Sequence, residues 1–155
     1  MTEVGFYHLT RMSLEDVLPR LLEKVVAQGK RAVLRCGDEE RLEALNRALW
    51  TYTNESFLPH GSRADGHADE QPVYLTTGDE NPNGAAVLVL VDAAPAEDLG
   101  AFERCVEMFD GRDERAVGLA RARWREVAAA GHTATYWQQN ERGGWVRGGG
   151  GASRA

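Results

Sequence analysis

The chain has 155 residues, a formal net charge of −6, 43% hydrophobic residues and 27% charged residues, which is ordinary globular composition. This length suits one domain with one hydrophobic core that needs neither disulfides nor a structural metal. The acidic balance excludes a protein that coats nucleic acid with a broad Lys and Arg surface, although it leaves room for a local basic patch.

Metal, redox and membrane motifs are absent from the sequence. The two cysteines, Cys36 and Cys105, form no CxxC pair and have no histidine at the spacing of a zinc or haem site. The first ten residues lack the pattern of a signal peptide, and no apolar stretch approaches the roughly 18 residues of a membrane span. We therefore expect a cytoplasmic protein with reduced thiols, no metal and no cofactor.

Strand and helix patterns alternate along the chain. Pro19 lies inside the first helical pattern, so that helix either bends there or begins near Leu18 rather than at the possible cap Ser13. In chain order the predicted elements are a strand at 4–9, a helix ending at Gly29, a strand at 31–36, a helix capped by Asp38, strands at 73–76 and 85–91, helices at 97–109 and 112–130, and a last strand at 132–137.

This alternation predicts a single-domain, three-layer α/β/α sandwich around a mostly parallel sheet. The continuous apolar run at 85–91, AAVLVLV, is the best candidate for the centre of the sheet. The fold is Rossmann-like but has no nucleotide-binding motif, since neither GxxxxGK[ST] nor a GxGxxG after a strand is present. We expect the domain to span 1–147, with a mobile polar loop at 61–70 and a disordered Gly-rich tail at 148–155.

Arginine is concentrated in the last third of the chain. Residues 1–100 hold 9 basic and 17 acidic side chains, whereas residues 101–155 hold 9 basic and 7 acidic ones, and all nine are Arg. Because a guanidinium group pairs with carboxylate or phosphate at two points, this segment can bind anions better than its small net charge suggests.

One helical pattern places two of these arginines beside an indole. Arg121, Trp124 and Arg125 stand at i, i+3 and i+4, which is one face of a helix. The arrangement suits an anionic ligand with an apolar end, such as a peptide whose last residue is apolar and is followed by its free carboxylate. A solvated helix face with a half-buried Trp shows the same pattern, so that alternative stays open.

A second cluster is aromatic and lies in LWTYTNESFLPHG, where no clear helical or strand period is present. Trp50 and Phe57 are its largest apolar side chains. Rigid aromatic side chains grouped in a loop are typical anchors of protein interfaces, although the same residues could close one end of the core.

Seven segments in series resemble one known family. They are FYHL, GKRAVLRC, LWTYTNESFLPHG, QPVYL, FERCVEMFDG, ARARWRE and AGHTATYWQQ, and they run from about Phe6 to Trp145. In this order they are similar to the chi subunit of bacterial DNA polymerase III holoenzyme. The resemblance implies a non-catalytic adaptor that binds the psi subunit of the clamp loader and the acidic C-terminal tail of single-stranded DNA-binding protein, and so links the replicase to coated lagging-strand DNA.

The resemblance also implies where these partners bind. The family's tail pocket falls on Arg121, Trp124 and Arg125, where a familiar member has Tyr and Lys at the last two positions. Asp110 stands where that member has an apolar residue, so Phe109 is expected to supply the apolar wall. The psi-facing surface falls on Trp50 and Phe57, and in some members the same surface accepts a DinG-type helicase.

Two alternatives to this adaptor function remain. One is a small-molecule-binding or enzymatic α/β domain that uses Cys36 and nearby loops, with His8 or His60 as a base. The other is direct binding of single-stranded DNA, with stacking on Trp124, Trp137 or Trp145. The adaptor interpretation expects nucleic acid to be contacted mainly through the binding protein.

Overall fold

The computed structural model describes residues 2–10, 13–51, 60–62, 68–91, 94, 96, 99–139 and 145–147. These residues form eight strands and three α-helices, with short 3-10 turns at Ala68–Glu70 and Leu99–Ala101. In chain order the elements are β1 (Glu3–Leu9), α1 (Leu14–Ala27), β2 (Ala32–Arg35), α2 (Glu39–Thr51), β3 (His60–Ser62), β4 (Val73–Thr76), β5 (Val87–Val91), β6 (Arg104–Asp110), α3 (Glu114–Ala129), β7 (Thr133–Gln139) and β8 (Trp145–Arg147).

All strands belong to one sheet in the order β3-β4-β2-β5-β6-β1-β7-β8. Every neighbouring pair is parallel except β7 with β8, which is antiparallel. Strand β5 lies near the middle of the sheet and all five of its residues are buried, which confirms the interpretation of the AAVLVLV run. The predicted α/β class with a mostly parallel sheet is therefore confirmed.

The sheet has a hydrophobic core on each face, because successive side chains of a strand point to opposite sides. Helices α1 and α2 cover one face with buried residues such as Leu22 and Leu45. Helix α3 covers the other face, where Ala120 and Val127 pack with Phe6 of β1. The arrangement is a sandwich of helix, sheet and helix layers.

Helix α1 begins at Leu14 and contains Pro19, so the alternative of a later start near Leu18 is wrong. Ser13 is the N-cap residue, but its hydroxyl donates to Asp16 Oδ2 at 2.9 Å instead of accepting from the backbone. The burial of the Pro19 ring and five other residues of the helix offsets the hydrogen bond that the proline removes. Gly29, with φ of 76°, lies just beyond the end of the helix as predicted.

The predicted helix at 97–109 is wrong, because Arg104–Asp110 is strand β6. Its apolar residues also fit a helical period, which is why the pattern was ambiguous. The strand pairs with β1 and β5 and is buried along residues 105–109, including Glu107, whose charge resembled the polar face of a helix. A strand buried on both faces has no alternation of apolar and polar residues to reveal it.

Two smaller expectations also need correction. The predicted polar loop at 61–70 starts within a strand, since His60–Ser62 is β3 and all three residues are buried. Strand β7 is not the last one, because β8 follows and pairs with it antiparallel at the edge of the sheet. The tail at 148–155 lies outside the described residues, so the domain boundary after residue 147 stays a prediction.

Candidate partner-binding site

Helix α3 carries the cationic and aromatic residues singled out in the sequence. It begins after Asp113, whose Oδ1 accepts from the backbone N–H groups of Arg115 at 3.0 Å and Ala116 at 3.3 Å. Such a cap typically contributes about 1 kcal/mol to helix stability. The cap therefore fixes the first residue of α3.

Arg121, Trp124 and Arg125 lie on this helix, as predicted. Trp124 is half-buried, and its ring packs on Phe6 of β1 with centroids 5.2 Å apart. Arg121 and Arg125 are exposed on either side of it. The indole is thus fixed by the core while the two guanidinium groups remain in contact with solvent.

Beside Arg121 the sheet contributes two polar aromatic residues, His8 of β1 and Tyr136 of β7. The His8 Nδ1 atom and the Tyr136 hydroxyl are hydrogen-bonded. Burial lowers the pKa of His8, and the positive charge of Arg121 lowers it further, although Asp110 opposes both. Burial raises the pKa of Tyr136, whereas Arg121 lowers it. Arg121 therefore stands close enough to both rings to influence their ionisation, and the lowered pKa of His8 favours its neutral form.

We call Arg121, Trp124, Arg125, His8 and Tyr136 the α3 site. Sequence reasoning missed the last two as members of this site. They belong to FYHL and ATYW, segments of neighbouring parallel strands in which Phe6 is the register partner of Tyr136. Pairing these two segments as adjacent strands would have placed both side chains on the α3 face of the sheet.

The two residues expected to flank the tail pocket lie at the end of β6. Phe109 is only 7% exposed and packs on the His8 ring with centroids 5.0 Å apart, so little of its ring faces solvent. Asp110 is exposed, and its Oδ1 accepts from the backbone N of Arg112 at 2.9 Å and from Arg112 Nε at 3.3 Å. These hydrogen bonds lower the pKa of Asp110, so it is charged, but Arg112 offsets that charge locally.

A buried ion pair holds α3 against the sheet. Arg123 Nε lies 2.5 Å from Glu107 Oε2, as an ion pair rather than an aligned hydrogen bond, and Arg123 Nη2 donates to the Ala94 carbonyl at 2.5 Å. Burial raises the pKa of Glu107 to about 7, although Arg123 opposes the shift. The pair fixes the rotation of α3 and so keeps Arg121 and Trp124 on the side of β1 and β7.

The other sequence candidates lie elsewhere. Cys36 has no exposed surface, and His60 is 3% exposed with its Nε2 3.3 Å from the Asn46 carbonyl. His132 Nδ1 accepts from the backbone N of Thr2 at 3.1 Å. Trp50 lies in the last turn of α2, but its side chain is outside the described set, and Phe57 lies outside the described residues altogether.

The fold and the α3 site together define a class of protein: a Rossmann-like α/β domain that presents two arginines and a fixed indole on one helix. Residues 1–135 match the family described as DNA polymerase III chi subunit, HolC. Within the part of the chain that is described, no helix is both long and apolar enough to cross a membrane.

Three curated relatives have the same name. The chain is 30% identical over 147 residues to the DNA polymerase III subunit chi of Escherichia coli (strain K12), covering 88% of this chain and 99% of that protein. It is 32% identical over 111 residues to the subunit chi of Pseudomonas aeruginosa, covering 70% and 77%. It is 31% identical over 109 residues to the probable subunit chi of Rickettsia prowazekii, covering 70% of this chain and 66% of that protein. The chain therefore belongs to the chi-subunit family of DNA polymerase III.

Proposed function

We propose that this chain is a non-catalytic adaptor of the DNA polymerase III clamp-loader assembly, and that its α3 site holds the acidic C-terminal tail of single-stranded DNA-binding protein. The observation that carries the proposal is the pair of exposed arginines, Arg121 and Arg125, beside the half-buried indole of Trp124. Such a site matches a peptide with several carboxylates and a terminal aromatic ring. The cytoplasm, where replication takes place, is the compartment in which this adaptor would act.

Two kinds of contact contribute to tail binding at this site, ionic contacts and apolar contacts. The guanidinium groups pair with the terminal carboxylate and with acidic residues before it, which supplies orientation and a fast, salt-sensitive encounter. The phenylalanine ring at the end of the tail packs on the exposed part of Trp124. Because Phe6 packs against that indole, Trp124 itself does not have to be ordered to form the contact, and this favours binding.

Asp110 does not prevent this mode of binding. Its carboxylate accepts two hydrogen bonds from Arg112, so a tail approaching along α3 meets a neutralised pair rather than a bare negative charge. The apolar wall assigned to Phe109 is mostly covered. Trp124 is left as the main apolar surface for the ring of the tail.

The psi subunit, and in some family members a DinG-type helicase, would dock on the surface around Trp50 and Phe57. This part of the proposal rests on the resemblance of LWTYTNESFLPHG to the family's psi-facing segment. The enzymatic alternative loses support, because the thiol of Cys36 is fully buried and a substrate could not reach it without local unfolding.

The direct test is titration with a fluorescent acidic peptide ending in Phe, compared with the same peptide lacking that residue. We expect saturable binding of the first peptide, weakening as salt rises from about 0.05 M to 0.2 M because exposed charges are screened. Deletion of the terminal Phe should weaken binding at least tenfold. Equal affinity for both peptides, or no binding of either, would contradict the proposal.

A further inference from the structure

A cavity lies on the face of the sheet opposite α3. It has a volume of about 300 Å³ and is enclosed by α1 and by strands β1, β6, β7 and β8. This volume is at the lower end of the range for small-ligand sites, enough for one group the size of a nucleotide. The sheet separates it from the α3 site, so the two surfaces can be tested independently.

Three cations line this cavity without a carboxylate partner among the described residues. Arg20 and Lys24 are exposed and stand one turn apart on α1. Arg104, at the start of β6, donates from Nη2 to the Tyr7 hydroxyl at 2.8 Å. Glu3 is the register partner of Arg104 but forms no ion pair with it. In a chain of net charge −6, this is a local positive site.

The same cavity presents aromatic rings. Trp137 stacks on Tyr7 with centroids 6.2 Å apart and an interplanar angle of 15°. Trp145 of β8 meets Tyr7 edge-on, with centroids 5.0 Å apart and an angle of 85°. Both tryptophans are half-buried, so they are fixed by Tyr7 and still expose part of their rings.

We infer that this cavity binds single-stranded DNA, with phosphates on Arg20, Lys24 and Arg104 and a base against the exposed surface of Trp137 or Trp145. Cations along a groove combined with aromatic rings are the usual elements of single-strand binding, because phosphates are charged and every base has a flat face. Two cations one helical turn apart, roughly 6 Å, suit successive phosphates better than a single terminal carboxylate. The inference does not depend on the tail-binding proposal, since it uses other residues on the other face.

The binding should be weak and strongly salt-dependent. Single strands release counterions with a slope of about −0.7 per neutralised phosphate in a plot of log affinity against log salt. Three cations therefore predict a slope near −2. The negative charge of the rest of the chain opposes binding and makes low salt the condition for observing it.

The test is fluorescence anisotropy of a labelled oligothymidylate of about ten nucleotides, titrated with the full chain at about 0.05 M salt. The variant Arg20→Gln/Lys24→Gln should bind at least fivefold more weakly, with a slope shallower by about 1.4. Both substitutions are at exposed positions, so the melting temperature should not change. The matched control is Arg121→Gln/Arg125→Gln, which removes the same charge from the opposite face and should bind the oligonucleotide as the wild type does.

Several results would overturn the inference. The absence of saturable oligonucleotide binding at low salt would do so. An equal loss of oligonucleotide affinity in the two double variants would also do so, because it would mean that only the net charge of the protein matters. Thymidine monophosphate should compete at least tenfold more weakly than the oligonucleotide, and equal competition would exclude a strand as the ligand. Binding of the acidic peptide ending in Phe should be weakened by Arg121→Gln/Arg125→Gln and unchanged by Arg20→Gln/Lys24→Gln. If Arg20→Gln/Lys24→Gln abolished peptide binding instead, the cavity would be a peptide site.

Discussion

Arg121 is exposed on α3, yet it lies close to His8 and Tyr136, two partly buried groups whose neutral forms are favoured by burial. In the described structure it makes no hydrogen bond or ion pair with another side chain, so its charge is available to an anion. A carboxylate that binds between Arg121 and the ring of Trp124 would be partly shielded from water, where a charge-assisted hydrogen bond is stronger than at an open surface.

We expect Arg121→Ala to weaken binding of the tail peptide by at least tenfold. Loss of one charge-assisted hydrogen bond costs on the order of 2 kcal/mol, or about thirtyfold in dissociation constant. Isothermal titration calorimetry measures the affinity. Arg115→Ala removes the same charge from an exposed position nearer the start of the helix and is the control. An Arg121→Ala protein with wild-type affinity would place the tail elsewhere.

At the scale of elements, β6 and α3 depend on each other through Glu107 and Arg123. The strand offers a carboxylate with 1% of its side chain exposed, and the helix supplies the only cation placed to meet it within the described structure. The pKa of Glu107 is about 7 instead of its ordinary 4.5, since burial penalises the charged form. The folded state therefore binds this proton more tightly than the unfolded state does. The stabilisation from that proton is complete below pH 4.5 and is lost as the pH rises to 7.

We predict that Glu107→Gln changes the pH dependence of stability. The free energy of unfolding of the variant, relative to the wild type, should rise between pH 4.5 and 7, because in that range only the wild type releases a proton when it unfolds. Urea unfolding at several pH values measures it, with Glu114→Gln as an exposed control on α3. Titration of the Glu107 carboxyl by NMR in the wild-type protein is a second measurement. A midpoint near 4.5 would contradict the prediction even if the variant did not fold.

The same pair explains why a segment with a helical sequence pattern forms the strand β6. Phe102, Cys105 and Phe109 fit a helical stripe, and the charged Glu107 between them fits the polar face of a helix. Tertiary contacts make this segment a strand. It has a neighbouring strand on each side in the sheet, and Glu107 has its partner, Arg123, on another element. In contrast, α1 and the buried strand β5 could be predicted because their patterns are local.

At the scale of the whole molecule, only some residues of the α3 site and of the opposite cavity could be predicted from the sequence. Arg121, Trp124 and Arg125 could be recognised because they lie on one helix, where spacing fixes their relation. His8 and Tyr136 are separated by 128 residues and meet only because β1 and β7 are adjacent. The opposite cavity is built from one helix and four strands, so no single segment could reveal it.

The two faces of the sheet then suggest a division of roles. The α3 site would hold the tail of the binding protein, while the opposite cavity would contact the DNA strand that this protein covers. Because the sheet lies between them, substitutions on one face should leave the other unaffected. The proposed adaptor function uses the α3 site and the surface around Trp50 and Phe57, so it would hold even if the opposite cavity bound nothing.

The most direct test of the adaptor function uses immobilised single-stranded DNA saturated with its binding protein, either intact or lacking the acidic C-terminal tail. At about 0.15 M salt we predict that the chain is retained at least tenfold more strongly by the intact protein, and that Arg121→Ala removes the difference. Equal retention on both surfaces would show that the tail is not the ligand, and would contradict the assignment of this chain as a tail-binding adaptor.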